Sequence, residues 1–129
     1  MNAERFARLV LWLSAVAFAA IGAAFLLAPV AMAARVGVSL AGATAANDVR
    51  AVYGGLQLGV GACLAWLAWR PDTLRAGLTL QLFGFGGLAA ARFASLLLDG
   101  YPGALGLALH GAEVVAIAFG VAARARLPR

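Results

Sequence analysis

Seven polar side chains interrupt the apolar segments of this chain, and their types are those that bind ligands or transfer protons. They are Arg50, Tyr53, Gln57, Arg92, Asp99, His110 and Glu113. Within each of three segments they recur three, four or seven residues apart, so each group lies on one face of a helix. Arginine grips anionic or carbonyl groups, tyrosine and glutamine orient a ligand, and a carboxylate beside an imidazole serves in proton transfer.

Three functions fit these side chains, and the pattern favours the first. A binding module or accessory subunit would hold a small amphipathic or lipid-like ligand in an outward-facing pocket. Its ligand-binding residues would be Arg50, Tyr53, Gln57, Arg92, Asp99 and Glu113. A small intramembrane enzyme would instead use Glu113 as acid or base and His110 as its partner. A proton-coupled exporter, assembled from several copies, would use Glu113 as its proton site.

Structural roles compete with ligand binding at some of these positions. Arg50 lies near a helix end, where a long side chain can snorkel to the membrane interface. Tyr53 also fits an interfacial aromatic belt. Asn47 precedes the second apolar run, where asparagine commonly caps a helix. Ionisable groups deeper in the apolar runs are expensive to bury, so Arg92 and Glu113 carry the stronger functional prediction.

Four apolar runs must position these side chains. They cover residues 6–28, 49–69, 74–98 and 102–123, and each approaches or exceeds the roughly 20 residues that a helix needs to cross a bilayer. Only 12% of the residues are charged, whereas about a quarter of a soluble domain is charged. Backbone in lipid must satisfy its own hydrogen bonds. The runs therefore predict an all-α integral membrane four-helix bundle, a single domain over residues 1–129.

Arginine placement predicts the topology. Seven of the ten basic residues fall on one side, namely Arg5, Arg8, Arg70, Arg75, Arg124, Arg126 and Arg129. Positive residues favour the cytoplasmic side, so an up-down-up-down bundle with both termini in the cytoplasm is predicted. The absence of lysine is typical of a GC-rich bacterial genome, which indicates a bacterial inner membrane. The first half of the 30–46 connection predicts a short helix on the outer interface. A cleaved signal peptide is disfavoured, because the first apolar run exceeds a signal core in length.

Charge and cysteine content exclude other classes. The net charge of +5 would suit nucleic-acid binding in a soluble protein, but these arginines lie at the ends of apolar runs, so no nucleic-acid partner is predicted. Cys63 is the single cysteine and His110 the single histidine, so neither a disulfide nor a metal cluster is predicted. No cofactor is expected. The expected partners are membrane lipids, a small amphipathic ligand and, as an option, further copies of the chain.

Depth along the helices places the polar groups in the outer half of the membrane. At about 1.5 Å of rise per residue, Gln57, Arg92 and His110 lie roughly 9 to 12 Å from the outer end. Glu113 lies deepest, roughly 17 Å in. Arg92 keeps its proton and needs an acceptor. Glu113 and Asp99 both qualify, and the spacing does not choose between them. Whether Glu113 is charged also stays open.

Glycines predict where helices approach closely. Gly55 and Gly59 form a GxxxG pair that, together with Gly54 and Gly61, should let another helix pack against the second run. The first run has only Ser14 as a polar interior residue. It is therefore predicted to serve in packing or to face lipid.

One string is distinctive enough to suggest a family. The sequence NDVRAVYGGLQLGVG at residues 47–61, followed by Arg92, the Asp99-Gly100 turn and Glu113, resembles small bacterial four-helix membrane proteins known as domain of unknown function 4345. The resemblance extends over nearly the whole chain. It marks as matching positions Asn47, Arg50, Tyr53, Gly54, Gly55, Gly59, Arg92, Asp99 and Glu113. The layout is also similar, more loosely, to DoxX-like membrane proteins. Neither resemblance implies an activity.

Overall fold

The computed structural model describes residues 2–128, and all the regular structure in that range is helical. In chain order the elements are α1 (Ala3–Leu27), α2 (Pro29–Arg35), α3 (Gly42–Val49), a π-helical segment (Arg50–Leu56), α4 (Gln57–Trp69), a 3₁₀ turn (Pro71–Thr73), α5 (Leu74–Asp99) and α6 (Gly103–Arg126). Arg129, one of the arginines behind the predicted topology, lies outside the described residues.

Four helical stretches are long and apolar enough to cross a membrane. They are Ala3–Leu27, Gly42–Trp69, Pro71–Asp99 and Gly103–Arg126. The predicted all-α class with four spans is therefore confirmed. A short helix, α2, occupies the first half of the connection between the first two spans, where a helix was predicted. Its position at the membrane interface stays a prediction.

Local chemistry sets several helix ends. The Asn2 side chain accepts a hydrogen bond of 2.8 Å from the backbone N–H of Arg5 and so caps α1. Pro29 lies in the first turn of α2, where its missing N–H costs nothing. Gly100, with a φ of 88°, ends α5 in a left-handed conformation that favours glycine.

The second span begins at Gly42 rather than near residue 49, so α3, the π-helical segment and α4 run on as one helix. Asn47 consequently lies inside α3 and is not the N-cap that the sequence suggested; Ala41 occupies that position. The reason is local, because residues 42–46 are mostly alanine and threonine without proline, and alanine is the best helix former. Helix formation therefore extends beyond the apolar run.

Helix α1 lies at the centre and packs against α4, α5 and α6. Its buried residues recur at helical spacing: Phe6, Ala7, Val10, Leu11, Ser14, Ala15, Phe18 and Gly22. Most of them share one apolar core with Leu64, Leu74 and Leu78. The Ser14 hydroxyl donates to the Val10 carbonyl over 2.8 Å, so it is satisfied within the helix. Of the two roles predicted for the first run, α1 takes the packing role.

Glycines let α1 and the second span approach closely at two of the four predicted positions, Gly54 and Gly61. A Cβ at Gly61 would lie 2.9 Å from the Ala15 carbonyl oxygen, and one at Gly54 would lie 3.1 Å from the Leu26 backbone. A Cβ at Gly59 would meet nothing within 4 Å among the described residues, and one at Gly55 would meet only the Arg50 carbonyl oxygen at 3.8 Å. The close contact thus involves Gly54 and Gly61 and not the GxxxG pair Gly55 and Gly59. Gly54 and Gly61, seven residues apart, share a helix face.

Candidate functional site

Arg92 and Glu113 form an ion pair that joins α5 to α6. The Nε of Arg92 donates to Oε1 of Glu113 over 2.8 Å. The Glu113 side chain is 8% exposed and that of Arg92 is 38% exposed. Between the two acceptors that the sequence left open, the structure selects Glu113. The carboxylate is therefore buried at the helix interface, while part of the guanidinium remains accessible.

His110 lies one turn before Glu113 on α6, and its Nδ1 is 4.0 Å from Oε2 of the carboxylate. That separation exceeds a hydrogen bond. Both atoms are buried, and neither has a hydrogen-bond partner within residues 2–128. Arg92, His110 and Glu113, which we call the Arg92 site, therefore present two unpartnered polar atoms beside an ion pair.

Asp99 lies apart from the Arg92 site. Its Oδ2 accepts a hydrogen bond of 2.7 Å from the Ser95 hydroxyl one turn earlier, and both residues are exposed. The serine and aspartate thus form a local pair at the end of α5. The interhelical ion pair does not include Asp99.

Arg50 and Tyr53 contact α1 instead of α5 or α6. The Nε of Arg50 donates to the Leu26 carbonyl over 3.2 Å, which satisfies a backbone acceptor in the last turn of α1. The Tyr53 ring packs on Phe25 with centroids 5.3 Å apart and planes tilted by 31°. Gln57 is half-buried at the start of α4. Within the described chain, no hydrogen bond or ion pair links Arg50, Tyr53 or Gln57 to the Arg92 site.

Apart from Asp99, the predicted ligand set thus divides into two groups. One group surrounds the contact between α1 and the π-helical segment, and the other is the Arg92 site between α5 and α6. The π-helical segment coincides with the distinctive RAVYGGL string. Such wide turns are rare and often occur at functional sites. This π-helical segment was not predicted, because hydrophobic periodicity does not distinguish a wide turn from an α-helical one.

Two polar contacts between α5 and α6 were not assigned a role from sequence. Gln81 is fully buried, and its Nε2 donates to the Ala116 carbonyl over 2.8 Å. Nearer the chain terminus, Arg124 donates to the Arg75 carbonyl over 3.2 Å and to the Thr79 hydroxyl. Arg75 and Thr79 are one turn apart and so lie on one face of α5. That spacing, together with the arginines at the end of α6, is the signal that could have indicated the contact with Arg124.

The chemistry available at the Arg92 site is polar recognition and proton transfer. Arg92 holds its charge in any state, and the carboxylate and imidazole can accept or donate a proton. Among residues 2–128, no three His, Cys, Asp or Glu side chains lie together as metal ligands would. Hydrogen bonds and charge are the interactions that Arg92, His110 and Glu113 offer to a ligand.

These features define a class, a small multi-pass helical membrane protein with a buried ion pair between its last two spans. The chain belongs to the family described as Domain of unknown function (DUF4345), whose model matches residues 6–123. That match confirms the resemblance carried by the RAVYGG segment. Searches of curated proteins and of solved structures found no match to the chain. The looser similarity to DoxX-like proteins and the bacterial origin stay predictions.

Proposed function

We propose that the protein binds a small amphipathic or lipid-like molecule whose polar head docks at the Arg92 site. One observation carries the proposal: the buried Oε2 of Glu113 and the buried Nδ1 of His110 face each other at 4.0 Å without hydrogen-bond partners among the described residues. An unsatisfied buried polar group costs about 1–3 kcal/mol. A ligand hydroxyl that donates to Glu113 removes that penalty.

The head group follows from the donors and acceptors at the site. Arg92 uses only its Nε toward the described residues, so its terminal nitrogens are available to a ligand oxygen. A head that carries both a carbonyl oxygen and a hydroxyl fits Arg92 and Glu113 together. Protonated carboxylic acids and monoacylglycerols have both groups. The neighbouring side chains of Phe93 and Val114 are exposed and apolar, and they offer a surface for the tail.

This proposal gives Arg50 and Tyr53 a structural role and leaves Gln57 outside the binding site. Arg50 and Tyr53 contact α1 through Leu26 and Phe25, so we assign them to positioning the π-helical segment against that helix. The pocket that the sequence predicted from both arginines is thereby reduced to the Arg92 site.

We propose that the protein spans a bacterial inner membrane with both termini in the cytoplasm. The Arg92 site then lies in the outer half of that membrane. Two contacts between distant segments support the placement of both termini on the same side, and the excess of arginine there favours the cytoplasm. Arg75, in the first turn of α5, donates to the Leu127 carbonyl over 3.0 Å. The Arg126 guanidinium lies 4.6 Å from the Phe6 ring centroid. The start of α1, the start of α5 and the end of α6 therefore meet at one end of the bundle, which we call the arginine-rich end. The Arg92 site lies away from it.

A second candidate function is proton transfer on an apolar substrate. The observation that favours it is the same spacing of 4.0 Å between an imidazole nitrogen and a carboxylate oxygen. Glu113 would act as acid or base, His110 as its partner and Arg92 as the stabiliser of developing charge. Binding ranks first, because it requires only the donors and acceptors already in place.

A thermal-shift panel in detergent tests the binding proposal. Decanoic acid and monodecanoylglycerol should raise the melting temperature, whereas decyltrimethylammonium, which has neither donor nor acceptor, should not. The shift should disappear in the double variant Arg92→Met/Glu113→Leu, which removes both charges together and strands neither. The matched control is Ser95→Ala/Asp99→Asn, which removes the exposed pair on α5 and should keep the shift. Equal shifts with all three compounds would refute head-group recognition.

A further inference from the structure

A second polar region lies at the arginine-rich end, on the surface between α5 and α6. A cavity of about 590 Å³ opens there, lined by Arg75, Leu82, Val121, Arg124, Ala125 and Leu127. A smaller space of about 280 Å³ shares Leu82 and Arg124 with it and adds Thr79 and Phe83. The two spaces are therefore neighbours and form one groove along the α5 surface, which we call the Arg75–Arg124 groove.

The charges of the groove are not neutralised by acidic side chains. Arg75 donates to the carbonyls of Pro128 and Leu127 over 2.9 and 3.0 Å, and Arg124 donates to the Arg75 carbonyl and the Thr79 hydroxyl. These acceptors fix the guanidinium groups but carry no net charge. Within residues 2–128, no carboxylate forms an ion pair with Arg75 or Arg124. Two positive charges thus remain available to an anion.

The geometry of arginine selects the kind of anion. Each guanidinium has five N–H donors, and at least two on each side chain make no hydrogen bond to the described residues. Paired guanidinium donors match the oxygens of a phosphate group in a bidentate arrangement. The polar part of the groove therefore fits a phosphodiester.

The rest of the groove is apolar and continues toward the middle of the bundle. Leu82 lies seven residues beyond Arg75, or about 10 Å along the helix. Val121 is 54% exposed and Phe83 is 78% exposed, so a hydrocarbon chain has open surface to lie on. A free phosphate ion would use only the arginine end, whereas a phospholipid would use both parts.

We propose that the Arg75–Arg124 groove is a binding site for an anionic phospholipid, with the phosphate between Arg75 and Arg124 and an acyl chain along Leu82, Phe83 and Val121. Basic pockets between membrane helices are suited to anionic head groups. The site is separate from the Arg92 site and takes a different chemical class of ligand. It would anchor the arginine-rich end of α5 and α6 to one leaflet.

Native mass spectrometry of the protein in neutral detergent tests this site with phosphatidylglycerol and phosphatidylcholine. Each basic side chain near a membrane surface raises the affinity for an anionic lipid about fivefold. Arg75 and Arg124 together therefore predict a preference on the order of 30-fold for phosphatidylglycerol over phosphatidylcholine. Arg124→Gln should lower that preference about fivefold. The matched control is Arg70→Gln, at the same end but paired with Asp72, which should leave the preference unchanged.

Two further measurements distinguish a lipid phosphate from free phosphate, and the first of them also tests the proposal if Arg124→Gln does not fold. Val121→Trp fills the apolar part of the groove without changing a charge, and it should weaken phosphatidylglycerol binding even if Arg124→Gln fails to fold. Inorganic phosphate at millimolar concentration should not displace the lipid. Equal binding of the two lipids, or equal losses in Arg70→Gln and Arg124→Gln, would overturn the proposal. Displacement by inorganic phosphate together with an unaffected Val121→Trp would assign the groove to free phosphate instead.

Discussion

Arg92 on α5 and Glu113 on α6 are joined by an ion pair of 2.8 Å across 21 residues of sequence. The pair lies in helices that are long and apolar enough to cross a membrane. An ionised side chain in such a place is costly without a partner. Each of the two charges therefore needs the other as its partner, and the loss of either one should lower the free energy of unfolding of the protein.

The first prediction concerns this dependence. Glu113→Gln should destabilise the protein by about 3 kcal/mol, because removing one partner strands the other charge. Adding Arg92→Met should recover much of the loss. A double-mutant cycle on the unfolding free energy measures the coupling. Losses that simply add would mean that the two side chains act independently.

The second prediction concerns the glycine contact between α1 and the second span. Gly61→Leu should lower the melting temperature strongly, because a Cβ there lies 2.9 Å from the Ala15 carbonyl oxygen, which cannot move aside alone. Gly59→Leu is the control, since its Cβ position is open among the described residues. Melting in detergent compares the two variants. A larger loss in Gly59→Leu would restore the GxxxG interface that the sequence predicted.

A third prediction uses the buried amide of Gln81. Its Nε2 donates to the Ala116 carbonyl, so Gln81→Glu replaces a donor by an acceptor facing another acceptor. We expect a loss of about 2 kcal/mol or more for Gln81→Glu, whereas Gln81→Met, of similar shape, should cost about 1 kcal/mol. Chemical denaturation in detergent gives both values. If the two variants lose stability equally, the hydrogen bond contributes little.

The fourth prediction concerns the orientation of the protein in the membrane. In a Cys63→Ala background, Ser39→Cys should react with a membrane-impermeant thiol reagent added from outside. Asp72→Cys should react only after the membrane is opened. The expectation follows from the excess of arginine at the end that includes the 70–75 connection. The reverse labelling pattern would invert the proposed topology.

Much of the fold follows from the sequence, because length and hydropathy define membrane spans directly. All four spans were predicted, and the largest error was the start of the second, where alanine-rich residues 42–46 extend the helix beyond the apolar run. Arg92 was predicted to pair with Glu113 or Asp99, because a buried arginine keeps its charge and needs an acceptor. The spacing alone did not choose between Glu113 and Asp99, since that choice depends on which face of α5 packs on α6.

The sequence did not indicate that Arg50 and Tyr53 would lie apart from the Arg92 site. Arg50 lies on the same helix face as Tyr53 and Gln57, but periodicity does not say which neighbouring helix that face contacts. In the structure it contacts α1 through the Leu26 carbonyl and the Phe25 ring. The central position of α1 is the cause, and an apolar helix with a single interior serine gives no sign of it. The central position of α1 also explains why Gly54 and Gly61, of the four predicted glycines, make the close contact.

Photoaffinity labelling at the Arg92 site tests the proposed function most directly. A fatty acid with a diazirine beside its carboxyl group would be photolysed with the protein in bilayer nanodiscs, and the labelled residues mapped by mass spectrometry. Labels should concentrate in residues 88–96 and 106–117. The variant Arg92→Met/Glu113→Leu should lower them about tenfold, since a hydrogen bond to a charged group contributes about 1.5–3 kcal/mol. Labels spread evenly over all four spans, or unchanged in that variant, would contradict head-group binding by Arg92 and Glu113.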